Sequence, residues 1–263
     1  MLLFSRAYRI NKNTMNDVKN HITLLLTGTI TPNSFDTLAL KDPDVRRNQY
    51  IEAIKFYLST TNLSIVFTEN SGCSIENEFD NFKDKERLEF LTYKSEPTTP
   101  DKGKGAKELE IIHYAMYHSE FISDSDAIIK VTGRLKILNI HKLHKDFSFF
   151  NKNKKNLLAC NIYKLTRMDS RCFFFTKDFW PCLETFGKLI NLKYSFEQAL
   201  WDSGLQYLRD GSEYKQFKRP LRVSGISGGF GTPYDDSPLI AQIKCVRHYF
   251  RAPYCYLKLK KDI

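Results

Sequence analysis

Lys102-Gly-Lys-Gly-Ala106 sets two ammonium groups and two glycines, Gly103 and Gly105, directly ahead of a run with helical periodicity. In that run, Glu108 to Ser119, the residues Leu109, Ile112, Ala115 and Met116 share one face. Lys102 and Lys104 beside a helix start would combine full positive charge with free backbone N–H groups, which suits a phosphate or diphosphate. The P-loop spacing is absent and no GxGxxG follows the first strand, so a solvated basic loop is the plain alternative. Lys130-Val-Thr-Gly-Arg134 interrupts a strand with Gly133, the sign of a bulge or of a close backbone approach. Its Arg134 offers a fork of donors for phosphate or carboxylate, against the alternative of a surface arginine beside a bulge. Ser224-Gly-Ile-Ser-Gly-Gly-Phe-Gly231 brings Gly225 and Gly228 next to Ser224 and Ser227, so backbone could approach a ligand closely, or the loop is simply a surface one. Glu69, Asp126, Asp169, Glu197 and Asp202 are the carboxylates available as a general base. Glu197 and Asp202 lie among Phe196, Leu200 and Trp201, the kind of apolar setting that raises a carboxylate pKa. No GxSxG elbow announces a hydrolase.

Stepping along the chain, strands and helices alternate. His21–Ile30 is β-branched and Leu-rich and ends in Thr27-Gly28-Thr29, a buried strand running into a turn. Val45–Thr61 places Tyr50, Ile54, Tyr57 and Leu58 at helical spacing, and Leu63–Ser71 is a second strand. Strand, helix, strand predicts a parallel βαβ unit. Arg87–Tyr93, Asp126–Ile140 with its break at Gly133, Leu157–Lys164 and Cys172–Trp180 are further predicted strands, and Tyr194–Leu208 a further helix. The expectation is one α/β domain over residues 1–263, with a basic aromatic tail at 241–263.

Composition narrows the classes. The 263 residues hold 42% hydrophobic and 14% aromatic side chains, too apolar for a disordered chain. No apolar run approaches the ~20 residues of a membrane span, and Met1-Leu-Leu-Phe passes at once to Ser5, Arg6 and Arg9, unlike a signal peptide. A cytoplasmic location is expected. The six cysteines form no CxxC, and only His141 and His144 of the six histidines are close, so neither a disulfide framework nor a zinc site is expected. The net charge of +10 concentrates in Lys142–Lys155 and from Lys244 onwards, interleaved with aromatics. Such patches suit nucleic acid, an anionic membrane face or a phosphorylated substrate, or are no more than a solvated surface.

Taken in order, "LLLTGTI", "RRNQYIEAIKFYL", "IVFTENSG", "KGKGAKELEIIHYAM", "DAIIKVTGRLKI", "DSRCFFFTKDFW", "FEQAL" and "SGISGGFG" resemble glycosyltransferases of bacterial surface polysaccharides, the lipopolysaccharide-core and capsule type. The resemblance spans roughly residues 22–236 and implies a GT-A-like, Rossmann-related domain: a mixed, mainly parallel sheet flanked by helices. It implies a nucleotide-sugar donor near Thr27, Gly28, Thr29 and Lys102–Gly105, and a saccharide or lipid-linked saccharide acceptor. Such enzymes usually end the strand after the helix in a metal-binding Asp-x-Asp. Here Ser123-Asp-Ser-Asp126 precedes the strand, whose end is Thr132-Gly133-Arg134. Dependence on Mn²⁺ or Mg²⁺ is therefore left open, with Lys130 or Arg134 as the alternative charge for the departing phosphate. The family pattern makes Glu197 the first choice of base and Asp202 the second, and Asp169 and Arg171 sugar contacts. It also makes the basic tail a means of peripheral attachment to the inner face of the inner membrane. Two other readings stay in play: a nucleic-acid-binding protein using the basic aromatic patches, which would leave the glycine-rich loops unexplained, and a non-catalytic nucleotide- or sugar-binding module.

Overall fold

In the computed structural model, described for residues 21–32, 39–97, 99–151, 156–164, 166–227, 231–234 and 238–261, every residue of Ile22–Gly28 (β1) is buried. A strand buried along its whole length belongs in the middle of a sheet covered on both faces. The helix Pro43–Thr60 (α1) follows, with Asp42 accepting from the amides of Asp44 (2.9 Å) and Val45 (3.3 Å) and proline at its first position. Ser64–Glu69 (β2) returns parallel to β1, with Leu25 opposite Val66, and Leu88–Thr92 (β3) adds parallel outside it. After Lys104–His118 (α2) and Glu120–Ser123 (α3) the chain crosses back, and Ala127–Thr132 (β4) pairs with the other side of β1. Strand order therefore reverses between β1 and β4, and ligands of open α/β sheets bind beyond the carboxyl ends at such a point.

Lys136–Ile137 (β5), Ile140–Asn151 (α4), Leu157–Lys164 (β6), Arg167–Thr176 (β7), Trp180–Gly187 (α5), Phe196–Arg209 (α6), Glu213–Lys215 (β8), Val223–Ser224 (β9) and Pro238–Lys261 (α7) complete the chain. The main sheet runs β3-β2-β1-β4-β7-β6-β8; only β7 opposes its neighbours, β4 and β6. This is the mixed, mainly parallel sheet of the expected α/β class. β5 and β9 form a separate two-stranded ladder.

Helices cover both faces. Leu24, Leu26, Ile129, Val131 and Phe174 pack with Tyr50, Ile54 and Tyr57 of α1 and Leu143 and Phe147 of α4. Leu25, Ile128, Phe173 and Phe175 pack with Ile112 of α2 and Ala199 and Leu200 of α6 on the opposite face. The consecutive Phe173, Phe174 and Phe175 thus feed both layers by strand alternation, each burial contributing about 1.5–3 kcal/mol.

Some expectations are corrected. The predicted strand Asp126–Ile140 ends at Thr132, where a turn through Gly133 and Arg134, closed by the Leu135 amide donating to the Thr132 carbonyl (2.9 Å), redirects the chain. Lys142–Lys155 starts as the helix α4, whose buried Ile140, Leu143 and Phe147 share one face, so its aromatic Phe147 is core. Residues 152–155 lie outside the described ones. The predicted strand Cys172–Trp180 is the second half of the long β7, and α5 begins where Pro181 occupies a first-turn position. Most of the basic tail is the helix α7. The five described cysteines, at 73, 160, 172, 182 and 245, are unpaired thiols.

Tyr57 is fully buried, and its hydroxyl donates to the Leu135 carbonyl (2.8 Å) while accepting from the Ile137 amide (2.9 Å). It fastens α1 to the turn that leaves β4. Tyr57→Phe leaves both backbone groups without their partner and should lower stability by about 1–3 kcal/mol. Urea unfolding should show a lower midpoint with an unchanged slope; an unchanged midpoint would show that the turn is held by other contacts.

Candidate active site

At the carboxyl edge of β1 and β4 the central group is a lysine with no exposed surface. Lys130 points from β4 into the face covered by α2 and α6, where the rings of Phe173 and Phe196 each lie 5.7 Å from its ammonium. An ammonium has three protons to place. Here they meet a Glu108 carboxylate oxygen, the Ser170 carbonyl (2.8 Å) and the Thr132 hydroxyl (3.4 Å). The same Glu108 oxygen accepts from the hydroxyls of Thr132 (3.2 Å) and Thr27 (3.4 Å). One carboxylate of α2 thereby ties the ends of β1 and β4, and through Lys130 the start of β7.

Gly133 lies where any side chain would collide: a Cβ would stand 2.7 Å from the Thr27 carbonyl oxygen. This is the close approach expected of a glycine at a strand break. Gly28 faces the ring of Phe67 equally tightly. Beyond β1, Thr29 donates its hydroxyl to Asn70 Oδ1 (2.7 Å) and its amide to the Tyr50 hydroxyl (2.8 Å). Buried Arg46 grips the Thr29 carbonyl through Nε (2.7 Å) and Nη2 (2.5 Å), and burial lowers the guanidinium pKa. Glu69, buried completely, accepts from the amides of Ile30 (2.8 Å), Ser71 (2.9 Å) and Cys73 (2.9 Å), so it holds two loops together. With these donors in place Glu69 has the role of a loop clamp.

The starts of α2 and α6 meet at this edge. Lys102 and Lys104 are exposed there and Gly103, at φ +81°, caps α2. Gly105 packs on α6, its missing Cβ 3.2 Å from Phe196. Glu197, in the first turn of α6, accepts from the Ser170 hydroxyl (3.0 Å). Asp202, five residues on and so on another side of the helix, accepts from the Tyr194 hydroxyl (2.5 Å), away from Ser170. Asp126 accepts from the His21 amide (2.9 Å) at the amino edge of the sheet.

Of the cations proposed for a phosphate, two have protein partners: Lys130 as above, and Arg134, which is 7% exposed and donates to Gln49 Oε1 (3.0 Å) and the Ile226 carbonyl (3.4 Å). Lys102 and Lys104 are the exposed ones. The glycine-rich segment folds over Arg134 as a small hairpin: Tyr234 N donates to the Gly225 carbonyl (2.8 Å), and Ile226 bridges Pro233. Gly225, at φ +127°, sits against the Arg134 backbone, where only glycine is unstrained. Ser224 pairs within β9, Ser227 is buried in the hairpin, and Gly228 lies outside the described residues.

Asp169 and Arg171, at the same edge on β7, form a forked pair: Asp169 accepts from Arg171 Nε (2.8 Å) and Nη2 (2.7 Å). Burial weakens the guanidinium, but the Asp169 hydrogen bonds outweigh it and hold the Arg171 pKa above its usual value. Arg171 also lies 5.1 Å from the ring centre of Tyr234, which the hairpin delivers. These two line a cavity of about 430 Å³ together with Asn161, Gln216, Tyr234 and Arg247.

The Asp-x-Asp of the sequence does not stand at this edge. Asp124 and Asp126 lie at the opposite end of β4, and Glu108, the carboxylate where the strand ends, is held by Lys130 and two threonines. Among the described residues no group of three or more His, Cys, Asp or Glu side chains is placed to hold a metal ion.

No protein-family model and no curated protein matches the chain. Solved structures similar to it include a glycosyltransferase involved in glycosylation of the major capsid of PBCV-1, with 14% identity, TM-score 0.44, and 74% of this chain and 81% of that one covered. Another is the galactosyltransferase LgtC in complex with donor and acceptor sugar analogues, with 10% identity, TM-score 0.45, and 76% and 74% covered. A third is a cytidylyltransferase from Leptospira borgpetersenii, with 11% identity, TM-score 0.42, and 90% and 96% covered. At this level of similarity they assign no activity to the chain.

Sequence reasoning missed Glu108, Arg46, Asn161 and Gln216, and had Arg247 only as one charge of the basic tail. Glu108 had a signal, since it stands one helical turn after Lys104 and faces a strand-end lysine. The others come from separate elements, and nothing in their spacing joins them.

Lys130→Met should cost about 3 kcal/mol or more, because it leaves Glu108 without its counter-charge beside a core. Combining it with Glu108→Leu should recover much of that loss. A double-mutant cycle by urea unfolding tests this; simple addition of the two single costs would show the pair is uncoupled.

Proposed function

We propose that the chain is a glycosyltransferase that moves a sugar from a nucleotide-sugar donor to a saccharide acceptor. The observation that carries the reading is a juxtaposition at the carboxyl edge. The switch point with its exposed lysines at a helix start, a carboxylate set on a hydroxyl, and a polar cavity of sugar-binding size lie on neighbouring strands. The order of motifs that resembles surface-polysaccharide glycosyltransferases supports it, and on that resemblance the proposed acceptor is a lipopolysaccharide or capsular saccharide.

In this reading Thr27–Thr29, Thr132 and Gly133 floor the donor site, held in shape by the close packing of Gly133 on the Thr27 carbonyl and of Gly28 on Phe67. Lys102, Lys104 and the positive end of the α2 dipole receive the diphosphate, and take the negative charge that develops as its bond to the sugar breaks. Glu197 takes the proton of the acceptor hydroxyl as that oxygen bonds to the anomeric carbon. Ser170 holds Glu197 in place. Arg134 orients the glycine-rich hairpin over the edge, and Asp169 and Arg171 contact the acceptor.

The helix α7 supports attachment to an anionic membrane. Leu239, Ile243, Val246 and Phe250 recur at four-, three- and four-residue steps on one side and are exposed. From Pro238 to Lys261 the sequence has six basic residues and no acidic one. No helix among the described residues is long and apolar enough to cross a membrane, so such a helix would lie in the interface. The full chain should sediment with phosphatidylglycerol vesicles and not with phosphatidylcholine ones, and Ile243→Glu with Val246→Glu should abolish it. Equal sedimentation of the double variant would rule out attachment through α7.

A thermal-shift panel of UDP-, GDP-, dTDP- and CMP-linked sugars, each with and without Mn²⁺ or Mg²⁺, tests the activity. One nucleotide class should stabilise the protein, by about 2.7 kcal/mol at 100 times its dissociation constant. Glu197→Gln should keep that shift and lower turnover by about 10²–10⁴-fold. No shift with any nucleotide would remove the transferase reading. Release of pyrophosphate from a nucleoside triphosphate and a sugar phosphate would replace it with nucleotidyl transfer.

A further inference from the structure

The cavity beside Arg171 has a chemistry of its own. Its floor is apolar, from Ile162, Leu221 and Val223, and it lies where β6 and β7 lose regular register, between Cys160 and Ile162. Irregular pairing of this kind re-aims side chains, and here it accompanies Asn161, which is 8% exposed. The side-chain oxygens of Asn161 and Gln216 are buried without a hydrogen-bond partner. Native structures rarely leave two such acceptors in one place, and a ligand carrying hydroxyl groups would satisfy both.

The rest of the wall is cationic. Arg171 spends Nε and Nη2 on Asp169 and also hydrogen-bonds Tyr234, which together fix its guanidinium in the cavity wall. Arg247, from α7, also lines the cavity and has no ion pair among the described residues. α7 is held there by His248, whose Nε2 lies 2.7 Å from the Phe217 carbonyl. Tyr234 adds a ring of the kind sugars stack on.

We infer that this cavity binds an anionic saccharide, a sugar ring whose hydroxyls meet Asn161, Gln216 and Asp169 and whose phosphate or carboxylate meets Arg171 and Arg247. The inference rests on the transferase reading only for its role, which is the acceptor subsite; the binding chemistry stands on the cavity itself.

Titration calorimetry on the full chain, with glucose 6-phosphate, glucuronate, methyl α-glucoside and inorganic phosphate as probes, tests it. Glucose 6-phosphate or glucuronate should bind at least tenfold tighter than both methyl glucoside and inorganic phosphate, and which of the two is tighter names the anion. Arg247→Gln, on the surface of α7, should weaken the anionic sugar at least tenfold, and Asn161→Ala should weaken it while leaving inorganic phosphate unchanged. Equal binding of methyl glucoside and both anionic sugars would overturn the inference, as would binding of inorganic phosphate as tight as that of the sugars, or no effect of Arg247→Gln. Nucleotide shifts measured on the same variants separate the two readings. Anionic-sugar binding without any nucleotide shift would keep the cavity and remove the transferase. A nucleotide shift without anionic-sugar binding would do the reverse.

Discussion

A charged ammonium with no exposed surface is an expensive thing to build into a sheet, and the carboxyl edge is organised around satisfying it. Lys130 cannot be removed from water unless its three protons find acceptors, and those acceptors come from α2, β4 and the start of β7. Meeting that demand fixes the first turns of α2, and the rings that close over the ammonium fix the start of α6. The exposed lysines of the α2 start and the Glu197–Ser170 pair then have defined places, because the segments that carry them are tied to the same buried charge. Stability and site geometry are one problem here.

The other side of the switch point is built the same way with opposite sign. Glu69 is buried and surrounded by amide donors from the loops after β1 and β2, and Arg46 clamps the Thr29 carbonyl from α1. The loop after β1 is thus pinned by a carboxylate on one side and a guanidinium on the other. Backbone held this firmly can present Thr27–Thr29 to a ligand without first paying the entropy of ordering it.

How much of this was legible depends on the range of the interaction. The strands β1, β2 and β4 and the helices α1, α2 and α6 declare themselves through local periodicity, and the βαβ order then implies the switch point. Gly133 was legible too, since a glycine inside a strand pattern has few other reasons. The helix α4 was obscured because Phe147 among lysines looks like a surface patch until Ile140 and Leu143 are seen on the same face. Lys130 and Glu108 were each visible as charges near a strand end and a helix start, but only the fold shows them paired, which leaves Lys102 and Lys104 as the exposed lysines of this edge. Asn161, Gln216 and Arg247 meet through β6, the segment after β8 and α7, so no sequence window contains them.

The paired segments 224–227 and 231–234 physically connect the β1–β4 edge to the cavity beside Arg171. The first segment lies on Arg134, which is anchored to α1 through Gln49, and the last residue of the second places the Tyr234 ring on Arg171. Any ligand at the β1–β4 edge that shifts Arg134 must therefore move or strain the segment that completes the neighbouring cavity. Gly225 makes this contact possible, because its backbone angle and its closeness to Arg134 leave no place for a side chain. The contact between the two regions is thus made through packed backbone and side chains and not through solvent.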